Sequence, residues 1–179
     1  MTGLATSTDL DPFESGDADA AIAWASEVVR DYCGQSIEQV LADVEICDPR
    51  PDFTVQLRQG PVTAVTLVEV RIPGPDGALA WTPVDTFEWL ERGLVTVFGT
   101  MWPGRKGQVR VTYDHGFATV PESIKQVTLE IAAQKRANPL GLVYRNIGEK
   151  KLGFAPTTGA VLSSFQRDIL DRYAVEEVS

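Results

Sequence analysis

With 179 residues, 44% of them apolar, and four Trp, seven Phe and four Tyr, the chain is long enough to bury a real core in one domain. Its net charge of −9 argues against a general nucleic-acid binder, which is normally basic. Two cysteines, Cys33 and Cys47, are too few for a disulfide scaffold or a zinc cluster, and no apolar run reaches the roughly 18 residues of a membrane span. Both cysteines are expected as buried or half-buried free thiols, a short-loop disulfide being the alternative.

Residues 1–16 are small, polar and acidic, and read as a mobile arm. They lack the basic and apolar regions of a signal peptide, so the expected site of synthesis and residence is the cytosol. Acidity is concentrated early: residues 1–52 carry twelve acids against two bases, and the remainder thirteen against fourteen. Asp17 or Asp19 can cap a helix over 18–33, with Trp24, Val28 and Tyr32, flanked by Ala21, Ala25 and Val29, on one broad apolar face and Gly34 as its stop. Across 35–52 the spacing of Ile37, Val40, Leu41 and Val44 suits a short helix or irregular packing. Asp48-Pro49-Arg50-Pro51-Asp52 is a firm break.

A β-rich stretch follows. Strands are predicted over Phe53–Leu57, Val62–Ile72, Trp81–Leu90, Leu94–Phe98 and Gln108–Tyr113, joined by turns rich in Gly and Pro, which suggests an antiparallel meander. In the last of them Val109, Val111 and Tyr113 alternate with Gln108, Arg110 and Thr112. Gly116, in the turn after it, is the residue best able to take a positive φ. Pro121 then opens a helix that Asn138-Pro139 ends, with Ile124, Val127 and Ile131 at core spacing. The strand passes directly onto that helix, so this is where the β part and the α part meet. Residues 140–160 lack periodicity and read as an extended arm or a segment ordered by a partner. Leu162, Phe165, Ile169 and Tyr173 mark a last amphipathic helix, capped by Ser163 or Ser164, within 161–179. The expected fold class is therefore α+β: a small helical core of N-terminal, central and C-terminal helices with an inserted antiparallel β meander. Residues 17–139 form one domain with the insertion at about 53–113.

Catalytic chemistry finds little footing. His115 is the single histidine, there is no nucleophile elbow, and there is no phosphate-binding glycine loop. Asp114 and His115 are adjacent at a strand end, where side chains point apart, so His115 reads as structural or solvent-exposed. The acid pairs Asp9/Asp11 and Asp17/Asp19 lie in or beside the arm, where nothing fixes them. Lys135, Arg136, Arg145, Lys150 and Lys151 against Glu149 give residues 135–151 a charge of +4. That run reads either as a solvated helix end or as a patch facing DNA or an acidic partner. Trp24 reads as core. Trp81, Trp89 and Trp102 read as core, or as an exposed stack for a glycan or a protein. No metal or cofactor is expected, and the chain is not expected to be an enzyme; an enzyme with His115 as base is the weakest alternative.

The order of motifs resembles the head-to-tail connector, or adaptor, proteins of tailed bacteriophages, particularly phages of actinobacteria. The residues that carry the likeness are Val29-Arg30-Asp31-Tyr32-Cys33-Gly34 and Leu57-Arg58-Gln59-Gly60-Pro61-Val62-Thr63-Ala64-Val65. It continues through Val111-Thr112-Tyr113-Asp114-His115-Gly116-Phe117 with Val120-Pro121-Glu122, then Ala137-Asn138-Pro139-Leu140-Gly141 and Asn146-Ile147-Gly148-Glu149. Ile169-Leu170-Asp171-Arg172-Tyr173 closes it. Lys150-Lys151-Leu152-Gly153-Phe154 and the acidic arm fit less well.

The resemblance implies a non-enzymatic virion protein of the neck, at the head–tail junction, assembled in the host cytoplasm. Its subunits would form a homo-oligomeric ring, a dodecamer in that family, beneath the portal protein. The ring would extend the channel through which double-stranded DNA passes without sequence-specific binding, and would meet a stopper or tail-completion protein. The C-terminal segment is the usual portal-docking element. Docking residues are accordingly expected among Leu140, Leu142, Tyr144, Arg145, Ile147, Lys150, Lys151, Phe154, Leu162, Phe165, Ile169 and Tyr173. Lys135 and Arg136 are candidates for channel-facing charge. The alternatives are a stopper or tail-completion protein and, from a different class, a β-rich glycan-binding module. No membrane partner is expected.

Overall fold

The computed structural model describes residues 4–5, 18–74, 76–99, 102, 104–137, 144–147, 150–153 and 162–175. The chain divides into two compact units: Gln35–Thr119, and Met1–Gly34 together with Val120–Ser179. The fold class is α+β with an antiparallel β meander, as expected from the sequence.

The helical unit contains α1 (Ala18–Cys33), α2 (Glu122–Ala137) and α3 (Ser164–Leu170), the last running into a 3-10 turn, Asp171–Tyr173. Gly34 takes φ 66° and its N–H closes on the Arg30 carbonyl at 2.9 Å, so it stops α1 as a left-handed residue should. The buried stripe of α1 is Ala21, Ile22, Ala25, Ser26, Val29 and Cys33. It takes the Ala21, Ala25 and Val29 side of the expected broad face, while Trp24, Val28 and Tyr32 on the other side are only half-buried. Small residues occupy the centre and let α2 approach closely through Val127, Thr128, Ile131 and Ala132, while the aromatics flank the contact. Two buried hydroxyls are satisfied within their own helices: Ser26 Oγ donates to the Ile22 carbonyl at 2.7 Å and Thr128 Oγ1 to Ile124 at 2.8 Å. In the stretch read as an acidic arm, Leu4 and Ala5 are buried, and the Leu4 N–H donates to Ser26 Oγ at 3.1 Å. No helix among the described residues is long and apolar enough to cross a membrane.

Ser163 caps α3 with a full capping box: its hydroxyl accepts from the Gln166 N–H, and the Gln166 side chain accepts from the Ser163 N–H. This geometry turns Gln166 and Leu170 inward and leaves Phe165 62% exposed. The expected apolar stripe through Leu162, Phe165 and Ile169 is thus displaced. Leu162 is buried but precedes the helix, because Ser163 is extended at ψ 159°. Buried Gln166 stays satisfied by donating to Glu130 of α2 at 3.0 Å.

The β unit has seven strands: β1 (Val40–Cys47), β2 (Thr54–Gln56), β3 (Val62–Pro73), β4 (Leu79–Pro83), β5 (Phe87–Trp89), β6 (Leu94–Val97) and β7 (Val109–His115). They form two antiparallel sheets, ordered β1-β7-β3-β4 and β2-β6-β5. A single core lies between the sheets, with Val68, Val70, Val109, Val111 and Tyr113 from the first and Val55, Val95 and Val97 from the second. Each fully buried Val or Ile contributes about 1.5–3 kcal/mol of burial, so this Val-rich interior fits a β unit well. The single strand expected over Trp81–Leu90 is two strands in different sheets. The chain breaks over 84–86, just after Pro83, with β4 pairing with β3 and β5 with β6.

The stretch read as a short helix or irregular packing is β1, an edge strand paired with β7. Its pattern is inverted. Asp43, Glu45 and Cys47 pair with the core-facing residues Tyr113, Val111 and Val109, while Val44 and Ile46 point outward at 55% and 58% exposure. The spacing of Ile37, Val40, Leu41 and Val44 matches a helix, but the ladder with β7 decides the conformation. A further pair of strands, β8 (Tyr144–Ile147) and β9 (Lys150–Gly153), forms an antiparallel hairpin in the stretch expected to be an extended arm.

Candidate docking surfaces and the buried polar cluster

Of the docking residues expected from the sequence, Leu140, Leu142 and Phe154 lie outside the described residues. Tyr144, Arg145 and Ile147 fall on β8, and Lys150 and Lys151 on β9, so the hairpin brings these five together. The other four belong to the end of the helical unit, where Leu162 is buried, Ile169 and Tyr173 are half-buried and Phe165 is the large side chain offered to solvent. Tyr173 Oη shares a hydrogen bond with Ser123 Oγ at 3.1 Å, and Tyr32 Oη donates to Asp171 at 2.6 Å. The Asp171 carboxylate raises the Tyr32 phenol above its ordinary value by accepting that proton. The Val175 N–H donates to the Cys33 carbonyl at 3.0 Å. Asp171 and Val175 are therefore each tied to α1.

Lys135 and Arg136 stand in the last turn of α2, half-buried, with Lys135 Nζ 4.9 Å from the centre of the Trp24 ring. That contact is a cation–π interaction, worth about 0.5–1 kcal/mol at a partly exposed site.

The three other tryptophans do not form one stack. Trp89 and Trp102 pack against the β core, and Trp102 Nε1 donates to the Arg50 carbonyl at 2.6 Å. Trp81 stands on the outer face of the four-stranded sheet, 4.6 Å from the Arg110 guanidinium and 5.9 Å from that of Arg71. Arg110 Nε donates to Glu69 Oε2 at 2.6 Å, and this pairing raises the Arg110 pKa further.

His115, expected in a turn as a structural or solvent-exposed residue, is the last residue of β7 and only 1% exposed. It faces Asp43, with Nε2 to Oδ2 at 3.2 Å, and its Nδ1 has no partner among the described residues. Asp114 points to the other side of the strand and accepts the Ala42 N–H at 2.7 Å, so the adjacent pair does point apart. Beside it Tyr113 Oη donates to Glu45 Oε2 at 2.7 Å, and burial together with that bond pushes the phenol far above its ordinary range. The sequence reading missed Asp43 and Glu45 as the partners. A bulge puts them there: β1 carries an extra residue between Val40 and Asp43, and Ala42 sits at φ 52°. Gly116, at φ 82°, allows the next close approach, since a Cβ there would run into the Glu38 carbonyl. The cluster gives each ring one carboxylate, His115 facing Asp43 and Tyr113 donating to Glu45, so the inward acids of β1 each meet a polar partner.

No family model and no curated protein sequence matches the chain. Solved structures do. A chain of the neck of a native gene transfer agent (GTA) particle, computed with C12 symmetry, aligns over 96% of this chain and 87% of its own, with TM-score 0.56 and 17% identity. A chain of the neck of the empty particle, computed with C6 symmetry, aligns over 93% and 82% with TM-score 0.50 and 18% identity. One from the virion of the native particle covers the same shares, with TM-score 0.51 and 17% identity. These likenesses show a shared α+β fold along nearly the whole chain.

Proposed function

We propose that this chain is a structural protein of a phage-like neck. Its subunits form a head-to-tail adaptor ring under the portal, extending the DNA channel and joining capsid to tail. The observation that carries the reading is the fold shared over 96% of the chain with a component of a particle neck computed with C12 symmetry. Independent support comes from the motif order, which resembles the adaptors of actinobacterial phages. In this reading the protein resides in the virion after assembly in the host cytoplasm, catalyses nothing, and meets portal, DNA and a stopper or tail-completion protein. A heterologous contact repeated about an axis closes such a ring.

Within this reading, residues 1–16 are an arm, 17–139 the body, and residues 140–160 with the last helix the portal-docking element. Phe165 is the exposed apolar anchor. Lys135 and Arg136 are the candidate channel-facing charges.

Electron microscopy of the full chain mixed with the portal protein of the same particle tests the proposal. Rings seated on the portal are expected, and portals that stay bare under assembly conditions overturn it. Phe165→Asp is expected to weaken portal binding by roughly 10-fold or more. Deleting residues 140–179 is a poorer probe, because it also strips buried Leu162, Gln166 and Leu170 from the helical unit.

A further inference from the structure

We infer that the two edges of the four-stranded sheet are complementary halves of one subunit–subunit contact, β1 of one copy pairing with β4 of the next. This rests on the ring reading above and names the surface that would close the ring. The argument begins with strand parity. The sheet runs β1-β7-β3-β4 with every neighbouring pair antiparallel, so its two edge strands point in opposite directions. Laying β4 of a second copy beside β1 continues the antiparallel alternation. The contact is head-to-tail, so it can repeat about an axis, whereas β1 against β1 would close a two-fold dimer.

The side chains agree with that seam. On the outer face, register places Val44 and Ile46 of β1 in line with Thr112 and Arg110 of β7, Leu67 and Glu69 of β3, and Pro83 of β4. Leu79 and Trp81 of β4 stand on that same outer face, Trp81 opposite Arg71. Joining β4 to β1 would set the apolar pair Leu79 and Trp81 against the apolar pair Val44 and Ile46. On the inner face it would set Ala80 and Thr82 beside Asp43 and Glu45, small and polar beside acidic. A register slip by one residue would cross these pairs, so the pattern selects the alignment.

β1 is long and aliphatic for an edge strand. It is eight residues long, and its exposed side chains include Leu41 at 65%, Val44 at 55% and Ile46 at 58%. The strand carries no lysine or proline; its bulge and its inward acids Asp43 and Glu45 guard the edge against indiscriminate pairing, while Val44 and Ile46 past the bulge present aliphatic side chains outward. At β4, Leu79 is 45% exposed.

The test uses the full chain carrying Val44→Cys and Leu79→Cys, both at exposed positions, treated with a bis-maleimide of about 10 Å reach, which spans two strand spacings. Cys33 and Cys47 are buried, so the unsubstituted protein sets the background. The reaction is run alone and with the portal protein, beside electron microscopy of the same mixtures. A ladder of dimer, trimer and higher species from the double variant, with monomer only from each single variant, is the expected result. Rings by microscopy with no ladder overturn the edge contact and leave the ring. A dimer from Val44→Cys alone shows the two-fold β1 contact and overturns the proposal. Neither rings nor ladder removes the ring reading, and this contact with it. As a second variant, Val44→Lys with Ile46→Lys is expected to abolish rings while the melting temperature stays unchanged; rings at the unsubstituted yield would overturn the contact.

Discussion

His115 Nε2 lies 3.2 Å from Asp43 Oδ2 although 72 residues separate them, and the contact joins an edge strand to its neighbour inside the β unit. A buried imidazole that keeps one partner is costly to disturb, since removing either member leaves a polar atom unpaired. His115→Ala is expected to lower stability by roughly 2–4 kcal/mol, and Asp43→Asn by about 1 kcal/mol, because the amide still reaches the ring. Urea unfolding of the two single variants and the double variant gives the coupling. Additive losses would show that the pair contributes nothing as a pair.

Gly116 is a backbone requirement. An alanine there meets both an unfavourable φ of 82° and the Glu38 backbone. Gly116→Ala is expected to cost about 2 kcal/mol or more, seen as a lower urea midpoint. A variant with the original midpoint would mean that the parallel bridge between Glu38 and Phe117 relaxes freely.

Burial pushes the Cys33 thiol up to about 11 and the Cys47 thiol up to about 12. The sign follows from proton linkage. Below a pH of about 9 both states hold these protons and the thiols have no effect on stability. Above it the unfolded chain releases them while the folded chain retains them, so stability falls. The slope expected is about 1.4 kcal/mol per pH unit for each thiol between that pH and its folded pKa. Denaturation at pH 8, 9 and 10, for the unsubstituted protein and for Cys47→Ala, separates this loss from other alkaline effects. At pH 8 neither thiol is expected to react with a maleimide until the chain is unfolded.

The Arg110–Glu69 bond is short at 2.6 Å, and Glu69 is mostly shielded at 12% side-chain exposure. Glu69→Gln is expected to cost about 1–2 kcal/mol, more than an open surface pair would. Trp81 reports on the same site, since Arg110 lies over its ring, so a shift in tryptophan emission should accompany the loss. Unchanged stability and emission together would place Arg110 outside the fold's energetics.

Ser163→Ala removes the hydroxyl half of the α3 capping box, while the backbone N–H at 163 still donates to Gln166, and is expected to cost about 1 kcal/mol, with Ser163→Asp close to neutral. A seven-residue helix has little propensity of its own, so hydrogen exchange in α3 should rise before that of α1.

Much of this architecture was legible in the chain. The helices over 18–33 and 122–137, their glycine and proline boundaries, and the alternation of Val109, Val111 and Tyr113 are local signals, and local signals survive into the fold. What failed was face and pairing. The helix-like spacing of Ile37, Val40, Leu41 and Val44 gave way to a strand, and Phe165 turned outward where its spacing placed it inward.

Composition and local pattern supplied the inventory: three helices, an interposed run of β strands, one histidine and two cysteines whose pairing stayed open. The tertiary structure decided which residues meet. It placed Asp43 on His115 and Glu45 on Tyr113, sent Val44 and Ile46 to the surface, and separated Trp81 from Trp89 and Trp102. The physical reason is that composition and period are properties of a short window. A one-residue bulge at Ala42 inverts the face of the strand that follows it, and its position is set by the ladder with β7 and by the Asp114 carboxylate, 72 residues on, which accepts the Ala42 N–H.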